Sequence, residues 1–116
     1  MASSPTTRSL ALLRKEGYHC AITAHWNQFA KIRQDLYGFI DMLALSFNAR
    51  PLAVQTTSYS NVSARIKKIF EHDNYKVVRA SMDIVVHGWH KPKHRWEVRI
   101  VNLTDEMGDE YERTGK

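Results

Sequence analysis

Cysteine is almost missing from this 116-residue chain. Cys20 stands alone, so no internal disulfide can form and no Cys-based zinc site is available to staple a core. Three prolines and five glycines are too few for a fibrous or low-complexity chain. No apolar run approaches the roughly 18 residues of a membrane span, and the opening Met1-Ala2-Ser3-Ser4-Pro5 lacks the basic region and apolar stretch of a signal peptide. A soluble cytoplasmic protein is expected. Ser58, Ser60 and Cys20 have no His and acid at a spacing that suggests nucleophilic catalysis, which sets that class aside. What is present, 43% hydrophobic, 25% charged and 10% aromatic residues, suits one globular domain with a real core and leaves no room for a second.

Negative charge is also scarce over most of the chain. Asp105, Glu106, Asp109, Glu110 and Glu112 crowd the end, so residues 1–104 hold 15 Lys and Arg against 7 Asp and Glu, a balance of +8. A compact domain that basic favours a polyanionic partner, with nucleic acid first, although a solubility charge gives the same number.

Thr6 or Thr7 can cap a helix over residues 6–16, with Leu10 and Leu13 as its apolar stripe and Gly17 as its stop. Residues 18–26 suit a strand and 27–35 a polar, basic connection. Residues 36–45 are nearly all apolar, as in a strand buried on both faces, with Asp41 as the interruption. After a turn at 47–51, residues 52–58 suit another strand. Ser60 or Asn61 caps a second helix, with Val62, Ile66, Ile69 and Phe70 on one face and Arg65, Lys67 and Lys68 on the other. A break at 72–74 precedes a shorter helical piece through Ala80. Residues 84–89 and 96–103 suit two strands joined by a basic turn, and 105–116 read as an acidic, mobile tail. The fold class expected is α/β, a small mixed central sheet flanked by two helices, in one domain over residues 1–104.

Asp41 most needs an explanation. A carboxylate inside a buried strand costs several kcal/mol unless it is paired, protonated or bound to a metal. If 36–45 and 52–58 form a hairpin centred on Asn48, Asp41 stands opposite Gln55, with Cβ atoms about 5 Å apart, close enough for both oxygens to hold one hard cation. Capping a turn or pairing with an Arg would satisfy the carboxylate equally well.

The stretches Leu-Arg-Lys-Glu-Gly-Tyr (13–18), Ile-Asp-Met-Leu-Ala-Leu (40–45), Ala-Val-Gln-Thr-Thr-Ser (53–58) and Trp-Glu-Val-Arg-Ile-Val (96–101) together resemble the PD-(D/E)XK nuclease superfamily. Within it they are most similar to archaeal and phage Holliday-junction resolvases. The string Trp-Asn-x-Phe-Ala-x-Ile-Arg-Gln-Asp-Leu-x-Gly-x-Ile-Asp (26–41) is similar to one carried by a group of phage-type proteins. The resemblance covers roughly residues 6–103. It implies a restriction-endonuclease-like αβββαβ core and hydrolysis of DNA phosphodiester bonds, with branched or junction DNA as substrate and a homodimer as a fitting assembly. It implies Mg²⁺ or Mn²⁺ held by Asp41, with Gln55 where the family has Glu and Asp35 as a further carboxylate. Thr57 occupies the place of the family's Lys, a role that Lys67 or Lys68 could take from the next helix. The family's acidic residue early in the first helix is absent at 6–8, and Glu16 is a later substitute. Arg33, Arg65, Lys67, Lys68, Lys91 and Lys93 would hold the DNA backbone. The departures at 55 and 57 leave open a DNA-binding module without hydrolysis, and the acidic end leaves open an interaction factor that mimics DNA.

His87, His90 and His94 have a spacing that could ligate zinc, but an extended strand points 87 and 90 to opposite faces. Trp26, Trp89 and Trp96 could stack on bases or belong to core and rim.

Overall fold

The computed structural model describes residues 4–114. Helix α1 is Pro5–Lys15. Its cap is Ser4 rather than Thr6 or Thr7: the Ser4 hydroxyl accepts from the Thr7 amide at 3.1 Å, and Pro5 takes the first helical position, where a missing N–H removes no bond.

Strand β1 is His19–Ile22, after which the strand expected over 18–26 breaks. His25–Asn27 (β2) pairs instead with Ile32–Gln34 (β3) as a separate hairpin. The polar stretch 27–35 is therefore structured, its turn tied by the Asn27 side-chain oxygen accepting from the Phe29 and Ala30 amides at 3.0 Å, as short polar side chains do at turns.

Only Met42–Leu45 (β4) of the strand expected over 36–45 is extended. Residues 36–40 form a tight loop closed by reciprocal backbone bonds between Leu36 and Ile40 at 3.0 and 3.1 Å. Tyr37 and Gly38 turn the chain at φ 53° and 89°, a region Gly enters without a Cβ penalty. Phe39 and Ile40 are apolar because the loop drives them into the core, where they are 1% and 0% exposed.

Strand β5 is Leu52–Ser58. A 3₁₀ turn at Tyr59–Asn61 leads into α2, Val62–Glu71, and then α3, Tyr75–Ser81. Strands β6, Asp83–His90, and β7, Glu97–Leu103, follow. The acidic end is no mobile tail: Asp105–Thr114 is helix α4. The Thr104 hydroxyl accepts from the Met107 amide at 3.2 Å, Asp105 and Glu106 suit the positive helix start, and Tyr111 stacks on Phe70 with ring centroids 5.6 Å apart. Its apolar signal is one i, i+4 pair, Met107 and Tyr111, which is too sparse to mark a buried face in the sequence.

The main sheet runs β1-β4-β5-β6-β7. Neighbours are antiparallel except β5 and β6, which are parallel. With the hairpin set aside, the connectivity is α-β-β-β-α-β with β7 as an added edge strand, a mixed α/β sheet as expected. Helices lie on both faces. Leu13 of α1 packs with Met42, Ala44, Val54 and Val85 on one face; Val62 and Ile69 of α2 and Val78 of α3 pack with Ala53, Ile84 and Val86 on the other. Burying each of these side chains larger than alanine contributes about 1.5–3 kcal/mol. No helix among the described residues is long and apolar enough to cross a membrane.

The α1 face also carries a buried polar knot. The Ser9 hydroxyl lies 2.8 Å from His87 Nδ1 and accepts from Trp89 Nε1 at 2.9 Å. Trp89 can only donate, which leaves the serine proton available to the imidazole. Burial pushes the His87 pKa down from 6.5 to about 4. The unfolded chain therefore takes up the proton first. Stability is full above about pH 6.5 and falls as pH drops toward 4, by about 3 kcal/mol in total. Urea unfolding across this range should show the loss, and His87→Gln should flatten that slope. On the opposite face, a Cβ added at Gly88 would meet Val62 Cγ2 at 2.1 Å and the Tyr59 Cα at 3.2 Å. Gly88→Ala should lower stability by about 1–3 kcal/mol in the same assay.

Candidate metal and nucleic-acid site

Continuing the observed β4–β5 register of Met42 with Val54 and Leu43 with Ala53 carries Asp41 toward Gln55, as a hairpin centred on Asn48 implies. Asp41 sits where β4 begins, at the carboxyl end of β5. Its backbone is fixed on both sides: its N–H donates to Val54 O at 2.9 Å, and its carbonyl accepts from the Thr23 and Ala24 amides at 2.9 and 3.2 Å. The side chain is 2% exposed as part of its residue and is held by two groups. Oδ2 accepts from the Thr56 amide at 2.8 Å and faces the Thr56 hydroxyl at 3.3 Å, while Oδ1 accepts from Arg33 Nη2 at 3.1 Å.

Beside this carboxylate is a cavity of about 80 Å³ lined by Arg33, Asp35, Asp41, Gln55, Thr56 and Arg65. At roughly 30 Å³ per water, that is space for an ion and one or two waters. All three residues expected to ligate a metal, Asp35, Asp41 and Gln55, meet there. Gln55 is 4% exposed and its Oε1 is buried with no hydrogen-bond partner, an orphaned acceptor that a cation would satisfy. Two carboxylates and an amide oxygen form a hard, all-oxygen donor set, which suits Mg²⁺ or Mn²⁺ and not zinc. Among the described residues no cluster of three or more His, Cys, Asp or Glu is placed to hold a metal; this donor set works only by including the amide.

Burial pushes the Asp41 carboxyl above its ordinary pKa of 3.8; the Thr56 amide pulls it back, Asp35 adds to the rise, and Arg33 opposes it. Crowding two acids is how proteins raise a carboxyl pKa, and a cation between them relieves it.

The cations divide by position on α2. Arg65 lines the carboxylate cavity, and Lys68, one turn on, lines a cleft of about 480 Å³ next to it, shared with Arg33, Asp35 and His25. Lys67 lies on the opposite flank, in a groove with Ser63, Phe70 and Tyr111. Of the three α2 cations it is thus Arg65 that lines the cavity, not Lys67 or Lys68. A helical step of about 100° per residue puts Lys67 on a different flank from Arg65 and Lys68. Thr57 is 6% exposed in β5 and lies outside the cavity. Lys91 and Lys93 are on the β6–β7 turn, at the same end of the sheet; Lys91 Nζ lies 5.7 Å from the Trp96 ring centroid, which Arg8 also covers at 3.3 Å.

Thr56 is the site residue that strand alternation hides, because its amide, not its side-chain direction, makes the contact. Thr6 of α1 joins it, the two hydroxyls 2.8 Å apart. Position 6 thus reaches the site where the resemblance places an acid, but brings a neutral group. The three histidines do not meet: His87 bonds Ser9 on the α1 face, and His90 stacks on Tyr59 at 4.1 Å on the other.

The chain matches no protein-family model, no curated protein and no solved structure. The geometry makes one direct prediction. Removing the guanidinium in Arg33→Ala takes away a cation that lowers the Asp41 pKa, so carbon-detected NMR titration should show that carboxyl titrating at higher pH than in the parent protein.

Proposed function

We propose that this domain hydrolyses DNA phosphodiester bonds with Mg²⁺ or Mn²⁺ as cofactor. The observation that carries this reading is the convergence of Asp35, Asp41 and Gln55, from three separate stretches, on one small polar cavity beside Arg65. The α-β-β-β-α-β connectivity supports it, since that is the order the nuclease resemblance implies.

Asp35, Asp41 and Gln55 would hold the ion through their side-chain oxygens. A bound Mg²⁺ supplies positive charge at the phosphate and lowers the pKa of a coordinated water. Arg65 and Lys68 provide the further cations that a dianionic transition state needs, fixed on a packed helix. Arg33 has a different part. Its side chain is 57% exposed and extends from a marginal hairpin, so it can leave Asp41 for a phosphate as substrate arrives. The carboxylate is released for the ion, and the charge of the site stays balanced.

Purified protein should nick supercoiled plasmid with Mg²⁺ or Mn²⁺ and not with EDTA. Asp41→Asn should reduce nicking to background while keeping a cooperative melt. In the parent protein alone Mn²⁺ should raise the melting temperature. Gln55→Glu, which adds a charged ligand, should tighten Mn²⁺ binding by on the order of tenfold. The uncharged Gln55 and the Arg33–Asp41 pair favour a second reading, DNA binding without turnover; salt-sensitive binding with no nicking in either metal would select it over the first.

A further inference from the structure

The β2–β3 hairpin lies outside the main sheet and exposes what such elements usually hide. Phe29 at its tip is 100% exposed and Trp26 is 58% exposed. Two three-residue strands are marginal in water by themselves, and solvated aromatic rings there mark a contact surface.

Two facts say what it contacts. The sequence has no acidic residue between Glu16 and Asp35, so the hairpin bears only positive charge, from Lys31 and Arg33. The register pairs Trp26 directly with Arg33, which puts both side chains on one face of the hairpin, with Cβ atoms about 5 Å apart. Arg33 in turn reaches Asp41 Oδ1 at 3.1 Å and Asp35 Oδ1 at 3.4 Å. The indole therefore stands one side chain away from the carboxylate cavity. Aromatic rings interleaved with cations, on a hairpin that carries no acid of its own, are the chemistry of single-stranded nucleic acid, whose unpaired bases stack without sequence preference.

We infer that the β2–β3 hairpin is a base-stacking element: Trp26 and Phe29 receive unpaired nucleotides and thereby set the adjoining phosphate at the Asp35–Asp41–Gln55 cavity. The inference rests on the DNA reading above and narrows its substrate to DNA with an unpaired or distorted segment. A fully stacked duplex presents no base to these rings; a flap, bubble or branch does.

The test is fluorescence anisotropy with a labelled single-stranded oligonucleotide and the matching blunt duplex, in EDTA so that nothing is cleaved. The parent protein should bind the single strand at least about tenfold more tightly than the duplex. The Trp26→Ala, Phe29→Ala double variant should lose about tenfold or more on the single strand, within the range that stacking contributes, and little on the duplex. Trp26→Phe with Phe29→Tyr should retain the preference, which separates stacking from a folding defect. Equal single-strand binding by parent and double variant would overturn the inference. So would a parent protein that prefers duplex or binds no nucleic acid, in which case the hairpin serves a protein partner. Nicking is read separately: its absence with stacking intact removes the hydrolase reading alone, and its presence with stacking absent removes this one alone.

Discussion

A buried carboxylate at the start of β4 sets the terms for this end of the molecule. Asp41 is inside the sheet margin, and an ionised group there is tolerated only when its lone pairs are filled. The chain fills them from two directions: Thr56 from the neighbouring strand and Arg33 from the hairpin. Asp35 works against all of this by adding a second acid. The Arg33 and Thr56 contacts oppose the rise in the Asp41 pKa, so pairing with an arginine is how the folded chain satisfies the carboxylate.

The surrounding parts are held with unequal firmness. Gln55 and Thr56 are on a strand with partners on both sides, and Arg65 is on a helix anchored by Val62 and Ile69 at 0% exposure. Arg33 is on a three-residue strand whose only partner is another of the same length. Local opening should begin at the hairpin and stop at β5. A fixed set of donors next to one movable cation is an arrangement that can respond to a ligand without disturbing the core.

Much of the architecture was legible because hydrophobic period and position agree. The apolar face of residues 62–70 and the branched run at 52–58 lie where their patterns put them, and the Asn48-centred hairpin has the register its symmetry implies. The errors have definite causes. Leu36, Phe39 and Ile40 look like strand residues because both a strand and a tight loop can bury them, and period alone does not tell the two apart. The hairpin at 25–34 was missed because its outward aromatics break the alternation that marks a half-buried strand. Helix α4 was missed because two apolar residues among acids carry almost no signal. At the site, Asp41 could be picked out because it was anomalous for its segment, and Gln55 followed from the hairpin register opposite it; Asp35, in a polar stretch, came only from the family resemblance. Thr56 could not be picked out, because a main-chain donor has no signature in residue type.

Helix α4 also distributes charge. Strand β7 runs from Glu97, opposite His90, to Leu103, opposite Ile84, so α4 begins at the end of the sheet remote from the carboxylate cavity and packs where α2 finishes, at Phe70 and Glu71. There its acids meet cations: Arg79 Nε lies 3.1 Å from Asp105 and Lys76 Nζ 3.9 Å from Glu112, and Arg50 lines the same pocket. Folding the acidic segment into a helix, instead of leaving it to sweep the surface, keeps those acids on the cations of α3 and away from the carboxylate cavity at the other end of the sheet.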